Sequence, residues 1–261
     1  MAHVVQSDGF PASAAQAREG TVFPAGSGGT PAEQKDWDSR IEPVSGNGWV
    51  NAVASTVLDG REVAVVRTSD ATVRMLDMAT GLPVGEPLTG HEDSVRGLTT
   101  TALNGRPAAV TAGDDGTARL WDLATCEQIG DHLVYAYSDV CAVAMAVLDG
   151  RPIAVTGGAD DTMRVWDLAT CEPLYSQPAP EALAISAGLV DGRPVAVTTA
   201  EPGLTDGPRM ASQVLQVWDL IGWEPVGQVV DGPGFSEAQA LTPRGRLLVS
   251  TRAGLAALTH H

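Results

Sequence analysis

Aromatic residues are few in this chain: three Phe and three Tyr stand beside six Trp in 261 residues. Three cysteines make an odd count, a poor basis for a disulfide framework. Cys126 and Cys171 occupy equivalent points of an internal repeat, where neighbouring units should stand beyond the roughly 7 Å Cα limit for a disulfide. Cys141 lies in an apolar run and reads as a small core residue. Reduced thiols and a cytoplasmic setting follow from this usage. No apolar run reaches the length of a membrane span, and the opening MAHVVQSDGF lacks a charged segment followed by an apolar one. The chain therefore reads as soluble and unexported.

Positive charge is also in the minority, with 16 Lys and Arg against 32 Asp and Glu and a formal net charge of −16. Such a field repels phosphate backbones and anionic lipid, so neither nucleic acid nor membrane is an expected partner. It favours cationic partners, and it also serves solubility. Catalytic signatures are missing: there is no Gly-x-Ser-x-Gly elbow, no His-Glu-x-x-His and no phosphate loop. GSGGT at 26–30 is followed by no Gly-Lys-Ser/Thr, and the aspartate pairs at 114–115 and 160–161 lack calcium-loop spacing. No cofactor and no metal is expected.

What the chain does have is a repeat of about 45 residues. Its clearest copies are LDGREVAVVRTSDATVRMLDMATG (58–81), LNGRPAAVTAGDDGTARLWDLATC (103–126) and LDGRPIAVTGGADDTMRVWDLATC (148–171). Gly60, Gly105 and Gly150 are 45 apart, as are Asp77, Asp122 and Asp167. A fourth copy is stretched: Gly192 follows Gly150 at 42, but Asp219 follows Asp167 at 52. Units of this size cannot bury an apolar face alone and must stack. Residues 1–36, rich in Ala, Gly, Ser and Pro, stand apart as an N-terminal arm or linker.

Inside a unit, Asp59-Gly60, Asn104-Gly105, Asp149-Gly150 and Asp191-Gly192 each join two β-rich runs, the strongest short hairpin signal. An acidic turn and a third strand follow, and then a fourth strand such as LPVGEPL (82–88). Four short antiparallel strands per unit describe a blade of a β-propeller. Gly90-His91, Trp121-Asp122, Trp166-Asp167, Trp218-Asp219 and the Asp-Gly-Thr turn at 115–117 carry a resemblance to the WD-repeat β-propeller family, in its Ala/Val-rich high-GC bacterial form. It covers roughly residues 40–259. The expected fold is all-β, with five blades at about 49–90, 91–135, 136–179, 180–231 and 232–261. Residues 38–46 are expected to supply the last blade's missing strand, which leaves no open sheet edge.

The resemblance implies a buried Trp–Ser/Thr–His–Asp chain in each blade, and only the second blade carries a full set: His91, Thr111, Asp115 and Trp121. A metal or acid–base use of His91 with Asp93 and Asp115 is the weaker reading, because no second His lies nearby in the repeat. The fold's top end gathers the acids Glu92, Asp93, Asp114, Asp115, Asp139, Asp160 and Asp161 with the aromatics Trp49, Tyr135 and Tyr137. The stretched turn 201–210, carrying Arg209, projects from the same end. Trp49, Asp93, Asp114, Tyr135, Tyr137, Asp139, Asp161 and Arg209 are thus the expected partner-binding residues of a monomeric, non-catalytic scaffold. Its partner would be a protein or peptide of basic character. A small-ligand or enzymatic use of the central channel is the alternative.

Overall fold

The computed structural model describes residues 50–68, 70–134, 138–200, 214–231, 236–241, 247–251 and 254–258. Every regular element among them is a β-strand. The first sheet holds β1 (Val50–Leu58), β2 (Arg61–Thr68) and β3 (Val73–Asp77). The second holds β4 (Val95–Leu103), β5 (Arg106–Gly113), β6 (Thr117–Asp122) and two outer fragments, β7 (Glu127–Gln128) and β8 (Leu133–Val134). The third runs through β9 (Val140–Leu148), β10 (Arg151–Gly158), β11 (Thr162–Asp167) and β12 (Glu172–Pro178). In the fourth are β13 (Ala182–Val190), β14 (Arg193–Ala200), β15 (Val214–Asp219) and β16 (Glu224–Asp231). The fifth contains β17 (Ser236–Leu241), β18 (Leu247–Thr251) and β19 (Gly254–Leu258). All are antiparallel meanders, and none closes on itself. Their first strands pack in series, β1 on β4, β4 on β9, β9 on β13 and β13 on β17.

The turns explain the regularity. At the four hairpins both central residues are left-handed: Asp59 and Gly60 have φ of 50° and 76°, and the other three pairs match them closely. That is the type I′ turn, whose twist suits the flanking strands. At the turn after the third strand, one aspartate oxygen accepts two backbone N–H groups. Asp122 Oδ1 takes those of Ala124 (2.9 Å) and Thr125 (3.3 Å), and Asp77, Asp167 and Asp219 repeat the pattern. This turn is tied back to the hairpin beside it by Leu123 N–H to Pro107 O, Leu168 N–H to Pro152 O and Leu220 N–H to Pro194 O.

Between sheets lies the core. Leu58, Val63, Val65 and Met75 of the first sheet cluster with Ala109, Trp121 and Leu123 of the second. Leu103, Ala108 and Val110 cluster with Met145, Trp166 and Leu168 of the third. Ile153 and Val165 then meet Ala196, Trp218 and Leu220 of the fourth. Each sheet thus covers the leading face of the next. Where two backbones approach closely, only glycine fits: a Cβ on Gly157 would stand 2.5 Å from Ala182 Cβ across the third seam.

Two expectations need correction. The segment 82–88 is not a continuous fourth strand but makes only the isolated bridges Leu76–Pro83 and Val73–Leu88. The outer strand of the second sheet is likewise split into β7 and β8. Gly85 and Gly130 explain both breaks, because each adopts a left-handed φ, 69° and 64°, that interrupts an extended chain. Tyr175 occupies the corresponding place in the third sheet, whose β12 runs unbroken. Cys141, expected in the core, is half-buried at the entry of β9 instead. Residues 38–46, expected to complete the last blade, lie outside the described residues.

The seam predicts a contrast between two glycines. Gly157→Ala forces a contact against Ala182 and should cost about 1–3 kcal/mol, as overpacking does. Gly105→Ala, with φ 78° and open space around it, carries backbone strain alone and should cost about 1 kcal/mol. Urea midpoints of the two variants check the order.

Candidate interaction face

One end of the sheets gathers the turns between second and third strands and the entries of the first strands. Backbone bonds lock these two kinds of turn together: Asp114 N–H to Ser94 O (2.9 Å), Ala159 N–H to Asp139 O (3.0 Å) and Ala179 N–H to Asp161 O (2.8 Å). A rigid sheet end therefore carries the acids that the sequence placed there.

Beneath it lies a buried polar chain in the second sheet. Trp121 Nε1 donates to Thr111 Oγ1 at 2.8 Å, and that oxygen is 2.7 Å from His91 Nε2. His91 Nδ1 is 2.9 Å from Asp115 Oδ2, which also accepts Glu92 N–H at 3.1 Å. A carboxylate can only accept, so Nδ1 carries a proton; Thr111 O–H, whose oxygen already accepts from Trp121, then donates to Nε2. Every member is satisfied by a neutral histidine. Burial holds His91 below its ordinary pKa of 6.5, against the opposing pull of Asp115. Burial raises Asp115, but hydrogen bonds from Thr117 and the nearby His91 win and hold it below its ordinary value.

The third and fourth sheets repeat the Trp–Thr bond. Trp166 donates to Thr156 (2.9 Å) and Trp218 to Thr198 (2.9 Å). Asp160 instead turns to Thr162 and to Arg164, whose Nη2 is 2.7 Å away. In the first sheet Leu76 replaces the Trp. Asp70 there accepts from Thr68, from Thr72 (2.6 Å) and from Arg74 (3.4 Å); these overcome its desolvation and hold it down to about 2. Asp70, Asp115 and Asp160 are thus structural carboxylates.

A further regularity was not legible as a motif. Each first strand slips register at its second residue, so Asn51, Arg96, Cys141, Leu183 and Glu237 are bulged positions at the same level of successive sheets. A bulge re-aims the residue it inserts. Arg96 uses this to place Nε 2.7 and 2.9 Å from the two oxygens of Asp114. Arg67 reaches the same neighbourhood and donates to Val95 O. Cys141 Sγ stands 3.7 Å from Glu181 Oε1, and burial together with Glu181 and Asp139 pushes its thiol up to about 11. It is therefore no thiolate nucleophile at neutral pH. The signal that could have found this level is the interval from 51 to 96 to 141.

Of the expected partner-binding residues, Asp93, Asp139 and Asp161 are exposed at this end. Asp93 Oδ1 accepts Ser94 N–H at 2.7 Å. Asp114 is taken up by Arg96, and Asp161 Oδ1 accepts Glu181 N–H at 3.0 Å. Trp49, Tyr135, Tyr137 and Arg209 lie outside the described residues. The sequence reading overlooked Arg96, Arg67 and the exposed Glu181. Among the described residues no group of three His, Cys, Asp or Glu is placed to hold a metal ion.

Residues 82–122 and 130–167 match the family described as WD domain, G-beta repeat. Each match begins in the outer segment of one sheet and ends with the third strand of the next, so the matched unit straddles a seam. Four-stranded antiparallel sheets with these repeats fit a β-propeller. No curated protein matches the chain.

His91→Ala leaves the Asp115 and Thr111 groups short of a partner and should lower stability by about 1–3 kcal/mol. The pH dependence follows from His91 titrating lower in the folded state than its ordinary value. The unfolded chain binds more protons as pH falls through 6.5, so this contribution is present above that value and lost below it. Urea titrations at pH 7 and 5 should show a smaller acid loss in the variant. An unchanged melting temperature and slope would mean that the chain of bonds contributes nothing.

Proposed function

We propose that this protein is a non-catalytic scaffold that captures a protein or peptide of basic character on its acidic turn end. The observation that carries the reading is a set of exposed carboxylates on mutually bonded turns: Glu92, Asp93, Asp139, Asp161 and Glu181. Rigid turns hold their side chains at fixed spacing, which lowers the ordering cost of binding. WD repeats commonly serve protein–protein interaction, which supports the same assignment. The use of Asp70, Asp115 and Asp160 as turn-builders supports a role without acid–base chemistry. Three free cysteines support a reducing, cytoplasmic setting.

The same reading takes the ring as five sheets, with residues 38–46 as the fourth strand of the last. Met78 supports it. It is 54% exposed, where its repeat counterparts Leu123, Leu168 and Leu220 lie at 0–1% beneath the preceding sheet. The leading face of the first sheet has room for a cover, and Ile41 falls at the repeat position of Gly85.

Asp93→Asn, Asp139→Asn and Glu181→Gln, combined, should keep the fold and abolish salt-sensitive capture of partners from a lysate of the source cells. Undiminished capture by the variant, measured beside an unchanged melting temperature, would refute the acidic end as the binding face.

A further inference from the structure

The repeat departs from itself most at one lower corner, far from the acidic end, where the fourth sheet meets the third. The turn after the third strand ends in a left-handed residue: Gly81 in the first sheet, then Cys126, Cys171 and Trp223, with φ of 70°, 60°, 59° and 58°. Each cysteine side chain reaches the outer strand of the preceding sheet, where glycine makes room. A Cβ on Gly85 would lie 2.5 Å from Cys126 Sγ, and one on Gly130 would lie 3.1 Å from Cys171 Sγ. At the fourth sheet both partners are aromatic. Trp223 stacks on Tyr175 with centroids 4.8 Å apart and planes at 15°. Tyr175 Oη stands 3.5 Å from Trp223 O.

Packing across the seam accounts for that pair; it does not account for what surrounds it. Ile221, 59% exposed, stands where the other turns carry Ala79, Ala124 and Ala169. Leu174, 42% exposed, is turned outward by a register slip in β12 between Tyr175 and Pro173. Its counterparts Val84 and Ile129 pack against the seam cores instead. Exposed isoleucine and leucine add nothing to a core. Ile221 shares its turn with the left-handed, half-buried Trp223, and Leu174 precedes that indole's stacking partner in the chain; together they have the composition of a contact surface.

We propose that this corner is a second interaction surface, taking an aliphatic or proline side chain flanked by Lys or Arg from a different protein. Charge selects the occupant. Glu172 and Glu224 are exposed beside Leu174 and Trp223, and a net charge of −16 opposes a second copy of the same chain. The basic flanks pair with the glutamates while the aliphatic group covers Ile221 and the indole edge.

The test uses the full chain and a synthetic Lys-Leu-Pro repeat peptide, followed by calorimetry and tryptophan fluorescence. Wild type should bind saturably. Ile221→Ala with Leu174→Ala should weaken binding about tenfold or more at an unchanged melting temperature, equivalent to about 1.4 kcal/mol. Asp93→Asn with Asp139→Asn, at the opposite end, removes any calorimetric binding of the basic peptide there but should leave the affinity read by tryptophan fluorescence at the corner near wild type. Equal affinity in the corner variant, a loss confined to the acidic-end variant, or no saturable binding would each overturn the proposal. Sedimentation showing a dimer that the corner substitutions dissolve would overturn it in favour of a second copy.

Discussion

The second, third and fourth sheets each have a leading face that the preceding sheet covers, and the rest of the structure depends on that coverage. A unit of about 45 residues makes strands of eight or nine residues at most, too few to enclose a core of its own. The seam supplies one. Leu123, Leu168 and Leu220 are buried to within 1% of their surface only because the hairpin and second strand of the sheet before them lie across. At about 25 cal/mol per Å² of apolar surface, such residues supply the main favourable term for each joint. Hairpins, aspartate-capped turns and seam glycines then fix how closely two sheets approach.

Much of this was legible in the sequence. Asp-Gly and Asn-Gly at intervals of 45, 45 and 42 residues gave away hairpins that proved to be type I′, because few residues tolerate two successive left-handed positions. His91, Thr111, Asp115 and Trp121 could be picked out by resemblance, and they do stand in one bonded chain. Other features depend on pairing that no residue announces. Arg96 looks like any surface arginine until the register slip at Val95/Gly97 shows it to be a bulged residue aimed at Asp114. Cys141 looks apolar by its neighbours, yet the same slip carries it out of the core. Gly85 and Gly130 sit in apparent strands, and only their φ shows why those strands break.

Function lies in the departures from regularity. One end of the sheets collects carboxylates, some consumed in building turns and others exposed. The opposite corner replaces small residues with Ile221, Trp223 and Tyr175, and turns Leu174 outward. The polar chain under the acidic end is complete in the second sheet, and the third and fourth repeat its Trp–Thr bond. A fully satisfied buried network rigidifies what stands above it, so the second sheet is the firmest platform for the turns it carries.

The central claim is that the sheets are stable through one another rather than singly. A double-mutant cycle between Leu103 and Leu168, which share one buried cluster from opposite sides of a seam, tests it most directly. Each leucine cut to alanine should cost about 2–5 kcal/mol in urea unfolding. The pair should depart from additivity by about 0.5–3 kcal/mol, since removing one partner already empties much of the site. Strictly additive losses would show that the two sheets hold themselves up independently, and would contradict the account.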